Sequence, residues 1–411
     1  MKRGTDLLLR SLGFLLERPL LFRALKPYLG WLRRKNPAPN LAQFSYRTTL
    51  ENIATLYGRE KPVVWASLFF PAEFIYALDG APFYPEIAAG LLAALGWGNI
   101  ALARAEAHWF SPDLCSYHRL SVGASILRFF PRPSMLLATS SICRGTVPFF
   151  ETLSEKLQVP LYLVDVPGEY SRDTVRYVTA QLATIAQTIR SNAKSTWDFE
   201  RPFGYTQKTI AILQEIENLR KKEEVMLLPP TKNLDYLPYY YQFMGSETAL
   251  VFFERLREHL RHTPPQTLPH RLLWLHLKPF YSGVLSTLLG EFGLGVAFEE
   301  FAAVYSGELD PRRPFLSLAE KIVATSYEFA DPTARLRRIV RWLSEYHAEG
   351  VIQFNQWGCR QSQGMNAVLQ RSLRREGIPV LFLDGDHLDR RHHAEEQWRT
   401  RLQAFTEMLE P

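Results

Sequence analysis

Short apolar runs alternate with helical segments twice along this chain, and this alternation constrains its fold more than any other feature. In the first series, strands are expected at KPVVWASLFF, SMLLATS and VPLYLVDVP, and helices at EIAAGLLAALGW, FFETLSEKLQ and SRDTVRYVTAQLATIAQTIRS. After the Pro-rich junction HTPPQTLPH (262–270), strands are expected at RLLWLHL, LGVAFEE, GVIQFN and IPVLFLDGD. Such alternation predicts parallel strands joined by right-handed crossovers.

The two series predict an α/β fold in which two open parallel-sheet domains, of the flavodoxin or Rossmann type, face each other across a cleft. An N-terminal helical arm precedes them. The predicted parts are a basic amphipathic arm (1–58), a first α/β domain (59–205), a helical connector (206–268) and a second α/β domain (269–411). The two domains are expected to be similar in architecture, although their sequences show no obvious repeat.

The positive charge of the chain is concentrated in the arm. The formal net charge is +6, but residues 1–40 alone contain nine basic and two acidic residues, a net +7, which leaves −1 for the rest. This distribution argues against a nucleic-acid partner. The spacing in DLLLRSLGFLLERPLLFRALKPYLGWLRR predicts an amphipathic helix that packs on its own protein or on a partner subunit, with contact to a membrane surface as the alternative.

Composition and motifs exclude several classes of protein. With 46% hydrophobic and 22% charged residues, the chain is typical of globular proteins, and no run reaches the ~18 apolar residues of a membrane span. Arg10 and Glu17 interrupt the apolar N-terminus, so no signal peptide is expected. Together with only three cysteines, this predicts cytoplasmic residence. Neither a GxxxxGK[ST] motif nor a GxGxxG after a strand occurs, so neither ATP hydrolysis nor a nicotinamide cofactor is expected.

The three cysteines occupy positions where an open α/β fold binds ligands. Cys143 and Cys359 follow the apolar runs SMLLATS and GVIQFN, so each is expected just beyond a strand end, one in each half. Cys115 precedes a helix-like run and would complete the set. The cysteines are 28 and 216 residues apart, unlike the local CxxC pairs of ferredoxins, and singly each is more typical of a small buried hydrophobic residue. Their shared placement predicts a metal site, and three thiolates can hold an iron–sulfur cubane with one iron open.

Four segments of the chain carry a resemblance to a known family. They are KPVVWASLFFPAEFIYALDGAPFYP, DLCSYHR, SMLLATSSICRGTVPFFETLSEKLQVPLYLVDVP, and EGVIQFNQWGCRQSQGMNAVLQRSLRREGIPVLFLDGD with RTRLQAFTEML. In this order and spacing they resemble the 2-hydroxyacyl-CoA dehydratase / benzoyl-CoA reductase family. The resemblance covers roughly residues 60–410 and leaves the arm outside it.

The resemblance implies an iron–sulfur enzyme, either a dehydratase (a lyase) or an ATP-dependent reductase. It implies a [4Fe–4S] cluster held between the domains by Cys115, Cys143 and Cys359, with the fourth iron open and no flavin. Single low-potential electrons would come from a separate ATP-hydrolysing iron–sulfur activator. One-electron reduction of an acyl-CoA thioester to a ketyl radical would make an inert β-proton acidic and expel the hydroxyl group. The resemblance further implies anaerobic radical chemistry and a homodimer, or a heterodimer with a related subunit.

Two departures from the family pattern keep other functions open. NQWGCRQSQG (355–364) lacks the acidic or aromatic residues and the proline expected after the third cysteine, and RLLWLHLKPF lacks a Gly-x-Pro turn. They favour, as an alternative, a homodimeric double-cubane [8Fe–9S] reductase of small molecules, a related branch of the same family. A non-catalytic scaffold or partner subunit of the same fold is a further alternative, and so is a zinc ion bound by three cysteines.

Two residues are candidates for catalysis. Glu73, in PAEF after the first strand, is predicted to act as a base or to gate the open iron, and the alternative is a carboxylate stabilised at a helix N-terminus. His118 follows Cys115 by three residues. It is predicted to carry protons or to donate to a cluster sulfur, and a structural histidine is the alternative.

Four further residues are candidates for binding the cofactor. Ser141 precedes the second cysteine and is predicted to bond a cluster sulfide, and Trp357 is predicted to exclude water. Arg144 and Arg360 are predicted to offset cluster charge or to hold an anionic substrate, with surface ion pairs as the alternative. The histidine-rich run DGDHLDRRHH (384–393) follows a strand and precedes the last helix, which predicts a solvated capping loop.

Overall fold

Two parallel sheets of four strands form the centres of the two halves. The computed structural model describes residues 11, 13–35, 40–193, 197–222 and 226–410. The first sheet, in the order β2-β1-β3-β4, consists of β1 (Val63–Ala66), β2 (Ala81–Phe83), β3 (Met135–Thr139) and β4 (Leu161–Val164). The second sheet, in the order β6-β5-β7-β8, consists of β5 (His270–Leu275), β6 (Leu294–Glu299), β7 (Gly350–Gln356) and β8 (Val380–Gly385).

The two sheets share one strand order. In each half the first strand lies second from the edge, with the second strand outside it and the third and fourth strands on its other side. All pairings are parallel. The strands β1, β5 and β7 are buried along their whole length, as parallel strands with covered faces are. The predicted α/β fold with two similar open sheets is confirmed.

The arm contains the helices α1 (Pro19–Lys35) and α2 (Leu41–Gly58), and α2 packs on the remainder of the chain. The Tyr57 hydroxyl, near the end of α2, donates a hydrogen bond to the carbonyl of Phe129 in the first half. Near its start, the Phe44 ring lies 6.4 Å from the ring of Phe252 in the connector. The helix α2 therefore bridges the first half and the connector, so this part of the arm packs on its own protein.

Residues 6–10 and 12 of the predicted arm helix lie outside the described residues. Within the described part, no helix is both long enough and apolar enough to cross a membrane.

The other helices cover the sheets and join the halves. Those of the first half are α3 (Ala72–Ala77), α4 (Pro85–Ala94), α5 (Gly98–Glu106), α6 (Ser116–Ile126), α7 (Thr146–Leu157) and α8 (Arg172–Ala193). The connector contains α9 (Glu200–Arg220), α10 (Leu237–Tyr240) and α11 (Glu247–His262). Those of the second half are α12 (Val284–Glu291), α13 (Pro314–Ala330), α14 (Pro332–Glu345), α15 (Arg360–Arg375) and α16 (Glu395–Leu409).

Two local features differ from the sequence-based expectation. The pattern predicts one helical stretch over 316–347, but the chain forms two helices because Pro332 has no N–H to continue the first. The Asp331 carboxylate caps the second helix by accepting from the Ala334 amide at 2.8 Å. The edge strand β2 escaped prediction because it has three residues and contains Pro82, which an edge strand tolerates.

One helix of the second half is buried in the core of the first. Leu318 and Ile322 of α13 belong to the same buried cluster as Val178 and Leu182 of α8. A fully buried Leu or Ile side chain contributes ~1.5–3 kcal/mol to stability. This contact fixes the two sheets relative to each other and thereby the shape of the space between them.

Candidate functional site

A cavity of about 1030 Å³ lies where the two halves, the connector and the arm meet. Its lining is mainly apolar. The loops that follow β1, β3, β5, β6 and β7 all reach it, and so do connector residues 232–239. Ligands of open parallel sheets bind at these carboxyl ends, so the cavity is where the topology places a binding site.

The arm helix α2 forms one wall of this cavity. The lining positions recur at intervals of three and four residues, which places them on one helical face. They include Ser45, Thr49, Asn52, Ile53 and Leu56. The arm thus contributes directly to the binding space.

All three cysteines line the cavity. Cys115 is the N-cap residue of α6, Cys359 is the N-cap residue of α15, and Cys143 lies in the loop between β3 and α7. Two thiols thus come from the first half and one from the second. Free N–H groups and partial positive charge at a helix N-terminus favour a thiolate, so Cys115 and Cys359 stand where an anionic sulfur is stabilised.

Side-chain hydrogen bonds join the two cysteine-bearing loops. Gln356, the last residue of β7, donates from Nε2 to Ser116 Oγ at 2.8 Å and to Asp386 Oδ2 at 2.9 Å. Its Oε1 accepts from the His387 amide at 2.6 Å. Because these groups are buried, their loss would leave unpaired polar atoms, so Gln356 holds the ends of β7 and β8 against the start of α6.

The protein alone disfavours three thiolates in this cavity. Burial raises the pKa of Cys115 well above its ordinary value, and the nearby Cys359 and Cys143 raise it further. Burial also raises the pKa of Cys143, and it raises that of Cys359 to about 11. A bound metal group supplies the positive charge that thiolates need, so this donor set fits such a group.

The three sulfurs do not surround a single ion. Among residues 11, 13–35, 40–193, 197–222 and 226–410, no group of three or more His, Cys, Asp and Glu side chains is arranged to hold one metal ion. In a cubane each thiolate binds a different iron, which separates the sulfurs, and the cavity has room for such a group.

The half-buried His276 and the buried His387 form a chain that ends at Cys359. His276 Nε2 lies 3.7 Å from Cys359 Sγ, and His276 Nδ1 lies 3.3 Å from His387 Nε2. Burial lowers the pKa of His276 to about 4 and that of His387 well below its ordinary value, so both rings are neutral. Sequence reasoning missed this pair. Its signal is that His276 lies at the end of the predicted strand RLLWLHL and that His387 directly follows the predicted strand IPVLFLDGD.

Glu86 is the buried carboxyl group that faces the cavity without a charged partner. It lies in the first turn of α4 and is 8% exposed. Oε1 accepts from the Leu68 amide at 3.4 Å, and Oε2 has no hydrogen-bond partner among the described residues. Burial raises the pKa of Glu86 to about 7. Sequence reasoning missed it as well; its only signal is a lone carboxylate at the start of the Ala-rich helix.

Glu73, the predicted catalytic carboxylate, is not among the cavity residues. It is fully buried in α3, where Oε1 accepts from Lys321 Nζ at 2.6 Å and from Thr206 Oγ1 at 2.9 Å. Lys321 belongs to α13 and Thr206 to α9. The carboxylate therefore ties three helices together, and the cavity receives Glu86 instead.

Two of the other predicted residues do line the cavity. The ring of His118 stacks on Phe149 at a centroid distance of 4.3 Å, and burial lowers its pKa to about 4. Ser141 is buried, and its Oγ lies 2.6 Å from Thr139 Oγ1. Both stand beside the loop of Cys143, so their predicted roles as proton carrier and sulfide donor have a place in the site.

The remaining predicted cofactor-binding residues lie outside the cavity lining. Arg144 is 68% exposed and 3.5 Å from Asp165 Oδ1, which matches the surface ion pair considered for it. Trp357 is 50% exposed and stacks on His392 at 4.6 Å. Arg360 is exposed in the first turn of α15. These three side chains therefore point away from the cavity that the cysteines line.

The prediction of a solvated loop at 384–393 is wrong for its middle part. Asp386, His387 and Asp389 are each 1% exposed or less. Asp386 Oδ1 accepts from the amides of Leu388 and Asp389, both at 2.8 Å. Asp389 in turn pairs with the buried Arg119 of the first half at 3.3 Å. Charged residues that the sequence pattern assigns to solvent are thus engaged in contacts between the halves.

Comparison with known proteins decides the family. The model of the family described as 2-hydroxyglutaryl-CoA dehydratase, D-component, matches residues 67–409. The chain belongs to this family. The match contains all three cysteines and Glu86, and it begins after the arm. The predicted family is confirmed, and the chain is an enzyme of the dehydratase and reductase family.

Individual members of the family are similar over most of their length. The chain is 27% identical to the (R)-phenyllactyl-CoA dehydratase alpha subunit of Clostridium sporogenes over 376 residues, 85% of this chain and 90% of that subunit. It is 23% identical to the (R)-2-hydroxyisocaproyl-CoA dehydratase alpha subunit of Clostridioides difficile over 382 residues, which again cover 85% of this chain and 90% of that subunit. It is 20% identical to one of the subunits of the benzoyl-CoA reductase of Thauera aromatica over 352 residues, 74% of this chain and 79% of that protein.

Proposed function

We propose that this chain is the iron–sulfur catalytic component of a 2-hydroxyacyl-CoA dehydratase and holds a [4Fe–4S] cluster through Cys115, Cys143 and Cys359. The observation that carries the proposal is that three thiols and the carboxyl group of Glu86 line one largely apolar cavity between the halves. The names of the two dehydratase relatives support an acyl-CoA thioester as the substrate. The bound cluster would supply single electrons at low potential and one open iron position.

Glu86 is the proposed general base. A pKa of about 7 lets the group be ionised at neutral pH and still accept a proton readily, which is the range that suits a general base. It would remove the β-proton of the substrate. The same reaction expels the hydroxyl group, so the substrate loses one proton and one hydroxide, which together make water. The substrate therefore undergoes no net oxidation or reduction.

The walls of the cavity keep water from the reacting atoms. Phe69, Phe83, Phe129 and Phe130 line it, and the last three are 7% exposed or less. In such surroundings electrostatic interactions are stronger than in water, and a reactive intermediate is protected from side reactions. The neutral rings of His118 and His276 add polar atoms near the sulfurs without adding charge.

Two partners belong to the proposal. The relatives are named as alpha subunits, which supports a second, dissimilar subunit for this chain. The electrons would come from a separate ATP-hydrolysing iron–sulfur activator, because the sequence has no phosphate-binding GxxxxGK[ST] loop of its own.

Anaerobic purification tests the cluster. The protein should be brown and contain about four irons per chain, as expected for a cubane. Cys143→Ser should lose most of the iron, whereas the control Thr152→Ser, on the exposed side of α7, should keep it. A wild-type protein that stays colourless and free of iron after reconstitution would overturn the proposal.

Turnover tests the reaction. With its partner subunit and activator, the protein should convert (R)-phenyllactyl-CoA or (R)-2-hydroxyisocaproyl-CoA to the 2-enoyl-CoA. A homodimer whose eight irons form two cubanes joined by a bridging sulfide, and which does not react with CoA thioesters, would instead support the double-cubane reductase.

A further inference from the structure

A buried ion-pair cluster lies beside the cavity at the end of β6. It consists of Glu300, which follows β6, and of Arg335 and Arg338, one helical turn apart on α14. Arg335 binds Glu300 through two hydrogen bonds, Nε to Oε1 and Nη2 to Oε2, both 2.7 Å long. Arg338 Nη2 donates to Glu300 Oε1 at 3.1 Å. All three side chains are 5% exposed or less.

This cluster contains more positive than negative buried charge, because two guanidinium groups share Glu300. Arg338 has a second carboxylate, that of Glu328 at 3.3 Å, which is 53% exposed. Its guanidinium also lies 4.1 Å from the centroid of the Phe329 ring, which favours a cation. Two buried guanidinium groups therefore face one buried carboxylate, and the second carboxylate, Glu328, is half exposed. A further negative group beside these guanidinium groups would offset the excess buried positive charge.

The cavity is where that group can lie. Arg335 lines the cavity, and Arg338 does not. Arg335 Nη2 also donates to Gln353 Oε1 at 2.9 Å, whereas Nη1 has no hydrogen-bond partner within the part of the chain that the structure describes. Cys359 lines the same cavity, and Glu300, which binds Arg335, also accepts from the amide of His276, whose Nε2 lies 3.7 Å from Cys359 Sγ. A fixed guanidinium with free donors at a cavity wall is suited to an anion.

We propose that Arg335 is the counter-charge of the cysteine site, and that it compensates the negative charge of the Cys359 thiolate and of the group which that thiolate binds. The inference rests on the proposed function in one respect, namely that the cysteines hold an iron–sulfur cluster. A cluster held by three thiolates is anionic, and its reduction adds negative charge. A nearby positive charge therefore stabilises the reduced form and raises the midpoint potential. Arg335 acts through Cys359, so it is a positioning residue, and Glu300 fixes its orientation.

The test compares two arginines of the same ion-pair cluster. The reconstituted proteins are wild type, Arg335→Gln, Arg338→Gln and Arg335→Lys, and each is measured for iron per chain and for midpoint potential in a redox titration monitored by electron paramagnetic resonance. Arg335→Gln should shift the potential to a more negative value or lose iron. Arg338→Gln should keep both the iron and the potential even where it lowers the melting temperature. Arg335→Lys retains the charge and should have a potential close to that of wild type.

A second variant keeps the proposal testable if Arg335→Gln does not fold. Glu300→Gln removes the negative partner, so it should move the potential in the opposite direction, to a less negative value. The proposal is overturned if Arg335→Gln has the wild-type potential and full iron, if both arginine variants shift alike, or if Glu300→Gln shifts in the same direction as Arg335→Gln. A wild-type protein that binds no iron would instead contradict the proposed function, so the two failures are distinguishable.

Discussion

A β-carbon added to Gly358 would lie 3.0 Å from the backbone nitrogen of Cys115. Gly358 also has a φ of +75°, a conformation that residues with a side chain rarely adopt. The loop before Cys359 therefore touches the backbone at Cys115 directly, with no side chain between the two halves. The two cysteines that cap α6 and α15 are joined through this contact.

Replacement of Gly358 by alanine should destabilise both the fold and the cysteine site. The added carbon meets backbone atoms and the positive φ is strained, so we expect a loss of about 1–3 kcal/mol in the free energy of unfolding. Iron content should fall with it, because Cys359 would be displaced from Cys115. Urea unfolding and iron analysis measure the two effects.

Gly364 provides the matched control for this substitution. It lies in α15, and a β-carbon there would meet no atom within 4 Å. Gly364→Ala should therefore stabilise the protein by ~0.5–1 kcal/mol and leave the iron unchanged. Equal stability of the two variants would contradict the close contact at Gly358.

Glu86 should give the protein a characteristic dependence on pH. Its pKa in the folded protein, about 7, is higher than that of an exposed Glu, so the folded state favours the protonated form. The stability associated with Glu86 is therefore full below pH ~4 and is lost as the pH rises through about 7, by an amount on the order of 3 kcal/mol. Glu86→Gln should remove this loss, so its unfolding free energy should exceed that of wild type at pH 8 more than at pH 5.

Turnover should have the opposite dependence on pH. A general base must be ionised, so the wild-type rate should rise as the pH passes through about 7. Glu86→Gln should lower kcat by roughly 10²–10⁴-fold above pH ~7 and by less at lower pH, and its own rate should no longer rise through this range. A variant that keeps its rate while its stability becomes independent of pH would show that the carboxyl group is buried but not catalytic.

Substitution of Glu73 should have the opposite effects to substitution of Glu86: it should lower stability and leave turnover almost unchanged. Glu73→Gln leaves Lys321, which is 19% exposed, without its carboxylate, so we expect a loss of about 2–3 kcal/mol in stability, somewhat less than for a fully buried pair. The kcat of the folded variant should stay within about threefold of wild type, since Glu73 lies outside the cavity and does not position the substrate there. Thermal unfolding and steady-state rates, measured on the same preparations, separate the two carboxylates.

The wall formed by α2 should influence which acyl groups fit. Ile53→Trp fills part of the cavity, so it should weaken binding of (R)-phenyllactyl-CoA by about tenfold or more and affect lactoyl-CoA much less. Tyr46→Trp is the control, because Tyr46 is on the same helix and 69% exposed. Isothermal titration of the reconstituted proteins gives the affinities. Equal weakening of both thioesters by Ile53→Trp would show that α2 does not discriminate between acyl groups.

The sheets and the positions of the cysteines could be predicted from local sequence. Most of the residues that surround the cysteines could not. Apolar runs bounded by polar residues locate β3 and β7, and the ends of those strands place Cys143 and Cys359 at the cavity. Glu73 and Glu86 illustrate the limit, since each occupies the first turn of a helix, Glu73 after β1 and Glu86 after β2. Which of them faces the cavity depends on α13, whose Lys321 binds Glu73.

Long-range packing supplies the rest of the site. His276 and His387 meet because β5 and β8 lie on either side of β7 in one sheet, an order that no local pattern encodes. Arg335 lies in the first turn of α14 and reaches the cavity from there. An arginine in a helix is ordinarily exposed to solvent, so the sequence gives no sign of this position. These contacts join residues that are far apart in the sequence. They can therefore be identified only in the folded structure, where the helices pack together.

The position of α2 has a consequence for how this enzyme can diversify. The thiols and Glu86 belong to the region shared with the family, but one wall of the cavity belongs to a segment that precedes that region. Selection can therefore remodel the arm, and with it the dimensions of the cavity, without altering the three cysteines or Glu86. The proposed chemistry and the width of the cavity depend on separate stretches of one polypeptide.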